Sequence, residues 1–532
     1  MRAALELVNV SFAYADAEGR LGADVLRDVS LAVPRGQCVV LTGPSGCGKT
    51  TVMRLLNGLV PQVYAGDVRG RVLVGDRDAA QMPLHEIAAV IGSVFQNPRS
   101  QFFNLDTTSE VAFACENVGM PEAEVRRRVH RTAQELGMMH LMSRDIRALS
   151  GGQRQLVALA SVYAPGPDVL LLDEPTAALD VSSMRLLAQV VKRCRALGRT
   201  VVVSEHRLWW LRGIADRVVH LDGGHVAHDW TAAQFETLPA KGRRALGLRA
   251  WRLEELDEGD GEGEGEGDGE GERSVASLAD SPRAPRADPS RTALALDGVR
   301  AGYRRGGDVL RAASASFDAG AVTAVVGGNG SGKSTLARCV AGLHRERAGR
   351  VLLDGYATPC RRRAGRVYLV MQEPGYQLFG DTVEAELRAA LRSACGLAGG
   401  RRAPVPDEDE RLVDALARFG LGHLVARHPL SLSGGERQRL AIAAGVLQGA
   451  RVMLLDEPTS GLDRRNMLRV ACELRRARDA GVCVAVITHD YEFLRTVCTN
   501  VVRLRDGVLE PISAQAGAGS AALVRSAMDF AS

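Results

Sequence analysis

The sequence predicts an α/β protein built twice over, and three observations predict it. The chain repeats itself: Lys49 and Lys333 stand 284 residues apart, while Ser150 and Ser433, Asp173 and Asp456, and His206 and His489 are each separated by 283. That is the mark of a whole domain in tandem. Each copy opens on alternating apolar residues, ALELVNVSFAY and ALALDGVRAGY, which suit half-buried strands. Later runs such as VLLLD and VMLLD, separated by segments of helical spacing, read as parallel strands covered on both faces.

Length and composition agree with two cores, since 532 residues at 46% hydrophobic exceed one compact domain. The expected boundaries are a first domain over 1–252, a linker over 253–292, a second domain over 293–512 and an Ala-rich tail over 513–532. The linker contains LDEGDGEGEGEGDGEGER and then SLADSPRAPRADPSR, with alternating Gly, like charges and Pro, and no apolar face to bury. Such a stretch is expected to stay disordered as a self-repelling tether. In the tail, ALVRSAMDF is a candidate short helix.

The formal net charge of +4 hides a segregation. Residues 254 to 272 hold 11 acidic side chains and no basic ones, so removing them leaves +15 elsewhere. That surplus, nearly all Arg, is read as solvated surface and no nucleic acid is expected as a partner. The 10 cysteines lie singly, without a CxxC pair, which fits a reduced compartment and excludes a disulfide scaffold. MRAALELVNV lacks the charged start and apolar core of a leader, and no window of about 18 residues stays apolar, so neither secretion nor a membrane span is expected.

Both copies then run strand, Gly-rich loop, helix. Gly43-Pro-Ser-Gly46-Cys-Gly48-Lys49-Thr50 and Gly327-Gly-Asn-Gly330-Ser-Gly332-Lys333-Ser334 each satisfy GxxxxGK[ST]. In such a loop the glycines let backbone N–H groups converge on phosphates, the helix N-terminus adds positive potential, and Lys reaches the β and γ groups. Thr50 and Ser334 would offer hydroxyls to Mg²⁺, and Thr51 and Thr335 follow them on the phosphate side. The chain has four lysines, and two of them are Lys49 and Lys333. A compact ammonium was kept where a planar guanidinium fits poorly.

VLLLDEP and VMLLDEP end strands at Asp173-Glu174 and Asp456-Glu457. An Asp at a buried strand end can hold Mg²⁺, and the following Glu can orient or deprotonate the attacking water. A His follows another apolar strand 33 residues beyond each Asp, at His206 and His489, placed for a γ-phosphate contact. These features alone indicate a P-loop nucleotide hydrolase.

LSGGQ at 149–153 and LSGGE at 432–436 resemble the signature motif of ATP-binding cassette (ABC) proteins, and the resemblance covers nearly all of both halves. It implies two tandem ABC-type P-loop NTPase domains, each with a RecA-like core, an antiparallel β subdomain and a helical signature subdomain. It implies ATPase activity with ATP and Mg²⁺ as cofactors, and paired lobes sharing two composite sites. One site would combine Lys49, Thr50, Gln96, Asp173, Glu174 and His206 with Ser433 and Gly435. The other would combine Lys333, Ser334, Gln372, Asp456, Glu457 and His489 with Ser150 and Gly152. Gln96 and Gln372 align with the family's Q-loop glutamine and would also reach the metal, Tyr14 and Tyr303 resemble its adenine-stacking aromatics, and AALD (177–180) and SGLD (460–463) match its D-loop.

Within the superfamily, FQNPRSQFFNLDTTSEVAFACENVGMP, and less fully MQEPGYQLFGDTVEAELRAAL, resemble the Q-loop and following helix of energy-coupling factor (ECF) transporter ATPases. By that resemblance the chain drives micronutrient uptake from the cytoplasmic face of the cell membrane. Its partners would be an integral membrane coupling subunit and a membrane-embedded substrate-binding subunit. Gln101, Phe102 and Phe103 either transmit to that partner or pack a helix. A sugar or peptide importer ATPase and a ribosome-associated twin-cassette factor remain alternatives. Trp209 and Trp210 are expected to pack.

Overall fold

The computed structural model describes residues 3–16, 18–97, 100–177, 179–256, 292–303, 307–396 (394–396 in backbone only) and 407–512. Most of the expected linker and the whole of the expected tail, including ALVRSAMDF, lie outside the described residues. The chain divides into two compact units, one built on Met1–Arg252 and the other on Leu253–Ser460 with Asn466–Ser532.

Strands of the first unit are β1 (Ala3–Ala15), β2 (Leu21–Pro34), β3 (Cys38–Thr42), β4 (Gly66–Val74), β5 (Arg77–Asp78), β6 (Ile91–Val94), β7 (Val169–Asp173), β8 (Thr200–Ser204), β9 (Arg217–Asp222) and β10 (His225–Thr231). They form two sheets. One has the order β10-β9-β3-β8-β7-β6, parallel except for the β9–β10 hairpin. The other, β2-β1-β4-β5, is antiparallel. CVVLT, VLLLD and TVVVS are buried at every position, as strands covered on both faces require. One core joins the sheets, with Leu5, Phe12 and Val29 from the antiparallel sheet meeting Leu41, Leu55 and Val202. Each such side chain contributes about 1.5–3 kcal/mol by leaving water.

The second unit repeats this with β11 (Thr292–Gly302), β12 (Asp308–Asp318), β13 (Val322–Val326), β14 (Ala348–Leu353), β15 (Tyr356–Ala357), β16 (Val367–Val370), β17 (Val452–Asp456), β18 (Cys483–Ile487), β19 (Asn500–Arg505) and β20 (Val508–Ile512). Its sheets run β16-β17-β18-β13-β19-β20 and β12-β11-β14-β15. Leu294, Phe317 and Leu310 pack on Val325, Leu336 and Leu454 in a second core.

Between β6 and β7 the first unit inserts helices Thr107–Asn117, Glu122–Glu135 and Gly151–Tyr163. Val383–Gly396, Glu408–Arg418 and Gly434–Gln448 take their place in the second. The Asp106 carboxylate accepts from the backbone N–H groups of Thr108 and Ser109, fixing the start of the first inserted helix. Trp210 is buried, as the packing expectation required.

Candidate nucleotide site

Each Gly-rich loop joins the C-terminal end of a central parallel strand to a helix: β3 to Lys49–Leu56, and β13 to Lys333–Val340. A parallel α/β sheet places ligand sites at that edge. Gly43, Gly46 and Gly48 have φ of 146°, 83° and 103°, and Gly327, Gly330 and Gly332 have 159°, 84° and 107°. The first glycine of each loop is also crowded. A Cβ on Gly43 would sit 2.0 Å from the Leu221 carbonyl oxygen, and one on Gly327 would sit 2.4 Å from that of Leu504.

The Lys49 Nζ donates to the carbonyls of Gly43 (2.9 Å) and Pro44 (3.0 Å). In the second unit Lys333 Nζ donates to Gly327 (2.6 Å) and Gly328 (3.0 Å). Both ammonium groups are buried and folded back over their own loops. The two tyrosines are also placed alike. The Tyr14 hydroxyl shares a hydrogen with Thr51 Oγ1 (3.1 Å) and accepts from Arg54 (3.2 Å). Tyr303 does so with Thr335 (3.4 Å) and Arg338 (3.3 Å). Each ring is thereby tethered to the helix that starts at the loop.

At the ends of β7 and β17 sit the acidic pairs. Burial pushes the Asp173 and Asp456 carboxyls above their ordinary range, against the pull of Ser204, Thr50 and Lys49 on the first and of Ser334 and Lys333 on the second. The Oδ1 of Asp173 is buried without a hydrogen-bond partner. An orphaned, desolvated carboxylate oxygen beside a threonine hydroxyl is a donor set that suits a hard divalent cation.

Glu174 and Glu457 both take positive φ, 44° and 52°. A non-Gly residue there costs about 1–2 kcal/mol, and such strain gathers at functional sites. Glu174 is pushed up to about 8 by burial, then by Asp173 and Glu205, with Lys49 and Gln96 opposing. His206 Nε2 lies 3.5 Å from Glu174 Oε1, and His489 Nε2 lies 3.7 Å from Glu457 Oε1. Burial first, then the charges of Lys49, Arg249 and Arg207, hold His206 well below its ordinary pKa. Near neutral pH the His206–Glu174 contact therefore joins two largely uncharged groups.

The signature serines cap helices. Ser150 and Ser433 each form a reciprocal capping box, with Gln153 and Glu436 respectively. A Cβ on Gly152 would meet Ser183 Oγ at 2.0 Å, so the glycine lets the signature helix pack on Val181–Ala196.

Comparison with known proteins bears on what binds here. The ABC transporter family matches residues 26–177 and 310–460, more than half of the chain. The chain belongs to the ABC transporter family. It is 38% identical over 504 residues to a "Putative ABC transporter ATP-binding protein" of Treponema denticola, across 94% of this chain and 96% of that one. It is 32% identical over 512 residues to the "Putative HMP/thiamine import ATP-binding protein YkoD" of Bacillus subtilis, across 94% and 90%. Archaeal ABCE1, in a ribosome-bound structure with Pelota, superposes with a TM-score of 0.62 over 98% of this chain and 80% of that one. At 20% identity that likeness is one of fold.

Two ATP-binding units of an ABC ATPase are thus present, and their acids are held differently. Gln96 Nε2 donates to Glu174 Oε2 at 2.8 Å, whereas Glu457 Oε2 accepts from Thr488 Oγ1 at 2.9 Å. Gln96, expected to reach a metal held by Asp173, is bonded through its Nε2 to the neighbouring Glu174.

Gln101 folds back onto the Q-loop of this ABC unit, accepting from Phe95 N (3.3 Å) and donating to Ser93 O (3.1 Å). Gln377 accepts from Met371 N (2.7 Å) and donates to the Tyr368 hydroxyl (3.2 Å). Sequence reasoning missed the residues that hold the next turn. Glu110 Oε2 accepts from the backbone N–H groups of Phe103 (3.0 Å) and Asn104 (2.8 Å). Glu386 does the same for Phe379 (2.8 Å) and Gly380 (2.6 Å). Their common distance from the Q-loop glutamines, 14 residues in both copies, was the available signal. It also missed Glu205, which is buried directly before His206.

Proposed function

We propose that the chain is the ATP-hydrolysing, energy-coupling subunit of an ECF-type importer for a vitamin or similar micronutrient. One observation carries this reading: each Q-loop leads to an exposed aromatic rim on a rigid support. Phe103 is 75% exposed and its neighbour Leu105 is also open, while Phe379 is 85% exposed beside an open Tyr376. The backbone beneath both phenylalanines is pinned by a glutamate, Glu110 or Glu386, and Phe103 stacks on Phe113 at 5.0 Å between ring centroids. Apolar surface on a fixed turn suits docking of a partner. The name of the Bacillus subtilis relative, a thiamine importer's ATP-binding protein, supports a vitamin as cargo. The ribosomal alternative has only likeness of fold behind it.

In this reading Lys49 and Lys333 bind the β and γ phosphates, while Tyr14 and Tyr303 face the adenine. Thr50, Gln96 and Asp173, and likewise Ser334, Gln372 and Asp456, would hold Mg²⁺, which supplies charge neutralisation on the phosphates. Glu174 and Glu457 orient the attacking water or, when ionised, deprotonate it, and His206 and His489 contact the γ-phosphate. ABC ATP-binding proteins normally work with membrane subunits, and among the described residues no helix is long and apolar enough to cross a membrane. The chain would sit at the cytoplasmic face, held by its partners.

Co-purification from membranes tests the reading. Phe103→Asp with Phe379→Asp should release the chain from its membrane partner while leaving the ATPase activity of the free chain near wild type. A double variant still bound as tightly, or a chain recovered only on ribosomes, sinks it.

A further inference from the structure

We infer that Glu205 is a positioning residue of the first nucleotide site, strapping the turn that carries Glu174 to the backbone that carries His206. We further infer that Asp490 does the corresponding work in the second copy from a different place in the chain. The inference rests on the reading of Glu174, Glu457 and the two histidines as catalytic.

Glu205 is 2% exposed, at the end of β8 and directly before His206. Its Oε2 accepts from the Thr176 hydroxyl at 2.6 Å. Its Oε1 accepts from the backbone N–H groups of His206 (2.9 Å) and Arg207 (3.1 Å). Thr176 is itself fully buried, two residues beyond Glu174 in the same turn. One carboxylate thus ties both halves of the reacting pair, whose side chains meet at 3.5 Å. Burying a carboxylate is costly, and three donors offset the cost. Two apolar groups of the same shape would pack as well, so what the carboxylate adds is geometric definition.

In the second copy the anchor threonine is kept and the carboxylate has moved. Thr459 Oγ1 donates to Asp490 Oδ2 at 2.7 Å, and Asp490 Oδ1 accepts from Phe493 N at 3.3 Å. By the 283-residue offset, Asp490 stands where the first copy has Arg207, and Thr488 stands where it has Glu205. Thr488 then donates to the catalytic carboxylate, Glu457 Oε2, at 2.9 Å and accepts from Asp490 N at 3.1 Å. The anchor and its purpose recur, with the acid before the histidine in one site and after it in the other.

The test uses the full chain with one site silenced. In a Glu457→Gln background, adding Glu174→Gln should abolish the remaining turnover; if it does not, the catalytic reading fails, independently of Glu205. In the same background Glu205→Gln should lower kcat about tenfold, the loss of a charge-assisted hydrogen bond, with KM for ATP nearly unchanged. Glu205→Thr should be as slow, and Glu205→Thr combined with Arg207→Asp, which transplants the second copy's arrangement, should recover most of the rate. A kcat untouched by Glu205→Gln overturns the inference, as does a double variant that melts like wild type and stays as slow as Glu205→Thr. Asp490→Asn in a Glu174→Gln background reads the other site, where a kcat that does not fall overturns the second half.

Discussion

Gln96 Nε2 donates to Glu174 Oε2 at 2.8 Å, so the loop that leads to the aromatic rim of the first unit holds the carboxylate that the strained end of β7 presents. In the second unit the corresponding oxygen of Glu457 is held by Thr488, from the strand end that carries His489. One acid is therefore tied to the loop that leads to the exposed aromatic rim and the other to its own histidine strand. If the rim receives a membrane subunit, movement there reaches Glu174 through a single hydrogen bond.

This bond predicts an asymmetry between the two glutamines. Gln96→Ala, measured with Glu457→Gln silencing the other site, should lower first-site kcat by about fivefold, the value of one neutral hydrogen bond of about 1 kcal/mol. It should also abolish the response of that rate to the membrane partner. Gln372→Ala in a Glu174→Gln background should leave more of the second site's rate, because Thr488 still holds Glu457. Equal losses in the two backgrounds would contradict this division.

The raised pKa of Glu174 makes a signed prediction about stability without nucleotide or metal. Its folded value of about 8 lies above the ordinary 4.5, so its contribution is fully present below pH 4.5 and is lost as pH rises through 8. Asp173, also raised, adds in the same direction. Glu174→Gln removes the part of this loss that belongs to Glu174. Its Tm minus that of wild type should grow from about pH 6 to about pH 8 and level off above that. His206 is depressed and has the opposite sign, with its contribution lost as pH falls below its ordinary 6.5, which is why the comparison begins near there. A difference that is flat over this window would contradict the burial of Glu174 as an uncharged acid.

Gln101 and Gln377 are each bonded within their own Q-loop, so both should behave first as local struts. Gln101→Ala removes bonds to Phe95 N and Ser93 O, and a loss of about 1 kcal/mol is expected in denaturant unfolding of the first unit. Partner binding should weaken with it, because the rim residues follow the strut directly in the chain. Unchanged stability with lost partner binding would show that Gln101 touches the partner itself.

Much of this was legible in the sequence, because tandem repetition turned single motif matches into pairs. The strand, loop and helix around Lys49 and Lys333, the acids ending β7 and β17, and the serines opening the signature helices all fell where spacing put them. What spacing could not show is which oxygen meets which donor. Glu205 reads as one more acid after an apolar strand, and only its complete burial and three donors distinguish it from a surface charge. Gln96 was expected beside a metal and is bonded to Glu174, a choice set by side-chain reach across two adjacent strands. Phe103 was open to two readings, transmission to a partner or packing of a helix, and it is exposed, as is Phe379. Glu110 and Glu386 hold the turn beneath them through backbone bonds, for which the shared 14-residue spacing was a faint signal that says nothing of the bonds themselves.

The glycines of the first loop separate backbone strain from crowding. Gly46 has φ of 83° and open space where a Cβ would point, so Gly46→Ala meets only the cost of a left-handed residue, about 1–2 kcal/mol. Gly43 combines φ of 146° with a carbonyl oxygen 2.0 Å from the Cβ position, and that oxygen belongs to β9, the strand beside β3. Relieving such a clash requires the loop or the sheet to move. Gly43→Ala should therefore lower Tm well beyond Gly46→Ala and weaken ATP binding at the first site by more than tenfold, since the loop that moves carries the amides aimed at phosphate. Fluorescent nucleotide titration of the two variants in a chain whose second site is disabled by Lys333→Ala reads the difference directly. Equal affinities would show that the loop adjusts around Gly43 without disturbing its phosphate-binding backbone.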